Sequence, residues 1–174
     1  MPGSTFLQGE TVSLRTVEEE DLDMLKEAVN DPRVWRPIGH TTPANAVQEQ
    51  KFFEEFVCDD STVNLLVTVE ETPVGLVELG QFRHEPGCCE LGYWIAPEHQ
   101  QQGYATDAVS RLVTYGFDQR ALHRIEAKVF GFNSASQHLL EDLGFTLDGR
   151  LRDRVFVDGE YHDLLWYGLL ADEW

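Results

Sequence analysis

The sequence predicts an α/β chain built on a mixed sheet. Runs of strand period and of helical period alternate through its middle. Hairpin signals flank that middle, at Glu71-Thr72-Pro73 and at Asp158-Gly159. Hairpins pair strands antiparallel, so the sheet is not a fully parallel, doubly wound one. Hydrophobic residues make up 42% of the 174, enough for a core, and residues 1–174 are expected to form one domain.

Each element has a local reason. Thr11–Arg15 alternates as a short strand. Thr16 with Glu19 reads as a capping box, followed by a helix through Leu22, Leu25, Ala28 and Val29 that Asp31-Pro32 ends. Thr42-Pro43 opens a second helix, a cap residue followed by Pro at the first helical position. Val63–Val69, Val74–Phe82 and Cys89–Ile95 are strands. A helix follows Gln100–Thr106 and runs to Gln119, with the apolar stripe Ala105, Ala108, Val109, Leu112, Val113 and Gly116. Ile125–Phe130 is a strand and Ser134–Leu143 a helix, with Gly144 placed for a left-handed cap. Phe145–Val157 and Glu160–Leu170 close the chain as a hairpin.

The charge excludes several functions. Thirteen Lys+Arg stand against 31 Asp+Glu, a formal net charge of −18. Nucleic-acid binding through the phosphate backbone needs the opposite sign, and so does a basic membrane-surface helix. Only three of the cations are lysines, and the acids are spread along the chain. That pattern reads as a solvated acidic shell suited to concentrated salt, as in halophiles. Cys58, Cys88 and Cys89 imply neither a disulfide framework nor a zinc site. Met1–Glu10 has no signal-peptide character, so a reducing cytoplasm is the expected location.

The segment from Tyr93 to Thr106 carries the most chemistry. A strand runs into a short loop, and Gly103 and Ala105 open a helix. Small residues there let backbone approach a ligand, and the free N–H groups of a first helical turn hold phosphate without Lys or Arg. No Gly-Lys-Ser/Thr triplet occurs, and Gln100-x-x-Gly103-x-Ala105 lacks the continuation of a dinucleotide fingerprint.

Placed after Trp94-Ile95-Ala96-Pro97, that motif resembles the acetyl-CoA motif of the GNAT N-acetyltransferases. Asn133 to Ser136, followed by Leu140 to Phe145, resembles the family's second signature. Glu90 to Trp94, Gly103 to Ala108 and His123 to Ala127 resemble the subgroup that contains the ribosomal-protein alanine N-acetyltransferases. The likeness spans Val12 to Asp163, with the motifs in order.

The resemblance implies a GNAT-like mixed, mostly antiparallel central sheet, splayed at the cofactor site and flanked by about four helices. It implies acetyl-CoA as co-substrate and no metal. Tyr93, Trp94 and Ile95 match the strand whose backbone pairs with the pantetheine arm. Gln101, Gln102, Gly103, Tyr104, Ala105 and Thr106 match the pyrophosphate loop. Asn133 matches the Asn that contacts pantetheine or nearby backbone, and Ser136 a serine near the thioester sulfur. Many members place a general-acid Tyr where this chain has Leu140, which fits the packing stripe Ala135, Leu139, Leu143. Ser136 is therefore the candidate acid, with direct protonation by water or the amine as the alternative. A free amine is mostly protonated at neutral pH and needs a base, for which Glu90 is the candidate. His40 and Asp163 are candidates to face the acceptor.

The expected reaction is acetyl transfer to a primary amine by direct attack in a ternary complex. The expected acceptor is a protein N-terminus such as that of a basic ribosomal protein. The alternatives are a small amine (polyamine, aminoglycoside or amino acid) and a non-catalytic acyl-CoA-binding module. Family members are often homodimers, and neither a nucleic acid nor a membrane is an expected partner.

Overall fold

The computed structural model describes residues 3–84 and 87–174. Eight strands form one sheet in the order β1-β2-β3-β4-β5-β6-β8-β7. They are β1 (Thr5–Gln8), β2 (Ser13–Thr16), β3 (Val63–Val69), β4 (Thr72–Arg83), β5 (Cys88–Ile95), β6 (Arg124–Phe130), β7 (Thr146–Val157) and β8 (Glu160–Leu170). Only β5 and β6 pair in parallel; every other neighbouring pair is antiparallel. This is the mixed sheet that the sequence patterns predict, mostly antiparallel as the resemblance implies. Five α-helices flank it: α1 (Leu22–Asn30), α2 (Pro32–Ile38), α3 (Ala46–Phe52), α4 (Tyr104–Arg120) and α5 (Ser134–Asp142). Among the described residues no helix is long and apolar enough to cross a membrane.

The fifth helix is the main departure from the sequence reading. Asp31-Pro32 does end α1, but it also starts α2. The Asp31 side chain accepts from Arg33 N–H, and Pro32 lacks only a donor that a first turn leaves unpaired anyway. The cap-plus-Pro rule applied at Thr42-Pro43 belonged here instead. At α3 the cap is Asn45, in a reciprocal box with Gln48. Thr16 is no helix cap either. It ends β2 and donates to the Glu18 side chain, and Glu18 caps the helical turn before α1. β1 has no counterpart in the sequence reading.

The turns follow their chemistry. Asp158 and Gly159 both take positive φ (52° and 84°), as a two-residue hairpin loop requires. The β3–β4 loop is Glu70-Glu71, also at positive φ (48° and 70°), one residue earlier than read. Gly144 sits at φ 89° after α5.

The sheet separates two apolar layers. Leu112 and Val113 of α4 and Leu140 of α5 pack with Val77, Leu79, Leu91 and Ile125 on one face. On the other face Leu25 of α1 and Phe52 of α3 pack with Leu66, Leu76 and Trp94. Alternation along β5 therefore sends Leu91, Tyr93 and Ile95 to the α4–α5 face, and Glu90, Gly92 and Trp94 to the α1–α3 face.

β5 and β6 pair only from Cys88↔Arg124 to Leu91↔Ala127. β5 continues to Ile95 on β4, and β6 continues to Phe130 on β8. Each strand stays with its own half of the sheet, so a gap opens between them. Asp107, in the first turn of α4, ties this helix to the far end of the sheet. Its carboxylate accepts from the N–H groups of Glu10, Thr11 and Val12 at 2.7–2.9 Å and from the Thr11 hydroxyl. Burial opposes the charge, but these donors outweigh it and hold the carboxyl below the usual aspartate range.

Asp107→Asn is expected to destabilise the fold by about 2 kcal/mol at neutral pH, since one carboxylate serves several donors. A lowered folded pKa means the stabilisation is complete above the ordinary value of about 3.9 and fades as pH falls through the lower, folded one. In urea denaturation the gap between variant and wild type should be constant near pH 7 and shrink below about pH 4. A gap independent of pH would contradict the assignment.

Candidate active site

The gap is part of a continuous cavity of about 1000 Å³. It reaches from the N-terminus of α4, through the opening between β5 and β6, to α1, α2 and α3. This is at the upper end for a ligand pocket.

At the α4 end, Gln100 fixes the loop by donating from Nε2 to Ile95 O at 2.8 Å. Gln101 takes φ 60° and Gly103 φ 82°. The first helical bond is Asp107 N–H to Gly103 O, so the N–H groups of Gln101 to Thr106 find no acceptor within the described residues. Six unpaired donors at the end of a 17-residue helix form an anion cradle without a cationic side chain. A Cβ on Gly103 would meet nothing within 4 Å, so glycine serves the left-handed backbone and keeps the approach open.

The middle of the cavity is backbone. Ala96 N–H bonds to Val74 O at 2.8 Å, so by alternation Gly92 and Trp94 bond β4 while Tyr93 and Ile95 turn the other way. β6 has already departed there. The N–H and C=O of Tyr93 and the N–H of Ile95 therefore face the gap. These groups can pair with an extended amide-bearing ligand as a missing strand would. Residues on both sides of the gap thus fit a phosphate-tailed, amide-linked cofactor of the acetyl-CoA type.

Most of the expected site residues meet here. Glu90, Tyr93, Trp94, Ile95, Gln101, Gly103, Tyr104, Ala105, Thr106, Asn133 and Ser136 all line the cavity. Gln102 does not; its side-chain oxygen accepts from the Tyr104 hydroxyl at 3.1 Å. Trp94 contributes its side chain on the α1–α3 face, its backbone being engaged by β4. Asn133 caps α5, accepting from Ser136 N–H at 3.2 Å. Leu140 is fully buried, which confirms it as packing. His40 lines the cavity, with Nε2 buried and unpartnered. Asp163 lies elsewhere, held by Arg150 and by the N–H of Asp153.

Three carboxylates reach the α1–α3 side of the cavity. Glu90 is not free: Lys128 Nζ lies 2.6 Å from its Oε2, and that ammonium also sits 4.8 Å from the centre of the Trp166 ring. Glu78 of β4 lies across Gly92, where a Cβ would come within 2.5 Å of its Oε1. Burial, and then the charge of Glu90, push the Glu78 carboxyl above its usual range. Glu49 of α3 is 5% exposed, and burial raises its carboxyl too, against the pull of Lys26. The sequence reading missed Glu78 and Glu49. For Glu78 there was a signal: a lone acid in the apolar run Val74–Leu79, on the same strand face as Leu76.

If Glu90 helps raise Glu78, Glu90→Gln should move the Glu78 titration to lower pH, measured by carboxyl-carbon NMR. An unmoved midpoint would show that the two charges do not sense each other.

The comparisons agree with this geometry. The model of the GNAT acetyltransferase domain matches residues 11–146. The uncharacterized N-acetyltransferase p20 of Bacillus licheniformis is 32% identical, over 97% of each chain. The putative ribosomal N-acetyltransferase YdaF of Bacillus subtilis (strain 168) is 27% identical, over 95% of this chain and 94% of its own. The spermidine N-acetyltransferase of Vibrio cholerae, solved in complex with CoA and spermine, superposes with a TM-score of 0.87 at 26% identity, covering 94% of this chain and 97% of that one. With a family model spanning most of its length and a full-length relative at this identity, the chain belongs to the GNAT family of N-acetyltransferases.

Proposed function

We propose that this chain moves an acetyl group from acetyl-CoA to a primary amine on a small cationic acceptor, by direct attack with both substrates bound. The observation that carries this reading is the single cavity with unlike ends: unpaired N–H groups at α4 and half-buried or buried carboxylates below α1–α3. The first end suits an anion and the second a cation.

Acetyl-CoA would supply an activated acyl group as a thioester. Gln101, Gly103, Tyr104, Ala105 and Thr106 would hold its pyrophosphate by backbone N–H groups. Tyr93 and Ile95 would pair with its pantetheine arm, and one of their N–H groups would polarise the acyl carbonyl. Glu78 is the better placed base. Its raised pKa brings it nearer to working pH, while Glu90 is engaged by Lys128. Ser136 would face the departing sulfur. Base and acid thus stand on opposite faces of the sheet, and the acyl group between them in the gap.

Glu49, Glu78 and Glu90 in one enclosed space favour a polyamine-like acceptor, a reading supported by the spermine-bound Vibrio cholerae neighbour. The second reading is a protein N-terminus, as the subgroup motifs suggest, and the ribosomal-type relative supports it. We read residues 1–174 as one catalytic domain, and the acidic surface as an adaptation to concentrated salt.

An acetylation assay with polyamines, amino acids, aminoglycosides and basic N-terminal peptides separates the readings. Turnover on polyamines is expected; turnover on peptides alone would overturn the first reading. Gly103→Arg should abolish acetyl-CoA binding in calorimetry while the chain stays folded, and normal binding would remove the loop assignment. Glu78→Gln should lower kcat about a hundredfold or more with acetyl-CoA affinity kept. Acetyl-CoA affinity should hold or rise with salt, because screening relieves repulsion between an acidic protein and an anion. A steep fall would contradict cofactor binding through backbone donors.

A further inference from the structure

With Leu140 buried in the core, Ser136 is the hydroxyl proposed above to face the departing sulfur, and a lone serine hydroxyl is a weak proton donor. The structure gives it a partner. The Tyr93 hydroxyl lies 2.5 Å from Ser136 Oγ, across the cavity wall from β5 to α5. Both residues line the cavity, and the Tyr93 ring packs against the apolar layer beneath α4 and α5. The Ser136 backbone is fixed separately, by Asn133 Oδ1.

We propose that Tyr93 is a positioning residue: its phenol donates to Ser136 Oγ and so turns the Ser136 hydrogen toward the sulfur leaving group. This rests on the acetyl-CoA reading above and adds to it. A hydroxyl rotates to suit its neighbours, and a Ser oxygen that accepts one hydrogen bond gives its own hydrogen elsewhere. In this proposal that direction is the cavity, which Ser136 lines. Burial pushes the Tyr93 phenol up to about 12, against the lowering effect of the Ser136 hydrogen bond. The phenol therefore keeps its hydrogen across the neutral range; either hydroxyl can be the donor at this distance, and the proposal assigns the phenol. Transfer forms a C–N bond and breaks a C–S bond, with the electron pair leaving on sulfur. The amine gives up one proton on the carboxylate face. The hydrogen bond from Ser136 holds the sulfur's charge until a proton arrives from water. Two coupled hydroxyls polarise one another, which strengthens the bond to sulfur.

The test is a double-mutant cycle with Tyr93→Phe and Ser136→Ala, read as kcat, acceptor KM and acetyl-CoA Kd by calorimetry, with Tm as the control. Tyr93→Phe removes one oxygen and keeps the ring. The expected result is a kcat lower by about tenfold to a hundredfold with Kd and KM unchanged. In the Ser136→Ala background the Tyr93 change should cost nothing more, because it acts through the serine. An unchanged kcat, a rate loss that follows Kd or Tm, or losses that multiply in the double variant would each overturn the inference. A wild-type protein that binds acetyl-CoA and acetylates no amine would instead overturn the proposed function, and this inference with it.

Discussion

The site depends on where β5 and β6 stop pairing. A parallel pair that continued past Leu91↔Ala127 would satisfy Tyr93 and Ile95 with β6, and the sheet would be closed. Instead β5 stays with β4 to Ile95 and β6 stays with β8 to Phe130, and the two diverge. The cost is a set of unpaired backbone groups in the interior, which a soluble fold rarely tolerates. In the proposed function they become the binding surface.

The same gap separates the two halves of the proposed chemistry. Strand alternation puts Glu78, Glu90 and Lys128 on the α1–α3 face and Tyr93 on the α4–α5 face, where α5 supplies Ser136. Divided by the sheet, the proposed base and acid can meet only through a substrate lying in the gap. The acidity of the chain fits this arrangement. In the proposed function an anion is held by backbone N–H groups, which leaves side-chain charge free to suit a cationic acceptor and the solvent.

Local patterns were legible in the sequence. The stripe Ala108, Val109, Leu112, Val113 gave α4, and Asp158-Gly159 gave its hairpin. The loop from Gln101 to Thr106 was visible because small residues and a helix start follow one another in sequence. Features that depend on distant partners were not visible. β1 is a strand because β2 lies beside it, with Leu7 buried against Leu14. Asp107 looked like an ordinary first-turn acid, yet it anchors residues nearly a hundred positions away. Glu90 was singled out by its place on the strand, but nothing local revealed that Lys128 would engage it or that Glu78 would lie across Gly92. α2 was missed for a different reason: Asp31-Pro32 is a stop signal and a start signal at once, and only the stop was read.

The most direct test of the account is an amide NMR titration of the protein with acetyl-CoA. The N–H signals of Gln101 to Thr106, Tyr93 and Ile95 should shift downfield and become protected from exchange, since each gains an acceptor. Saturable binding that leaves those amides unmoved and shifts others would contradict the claim that the open sheet and the α4 terminus form the cofactor site.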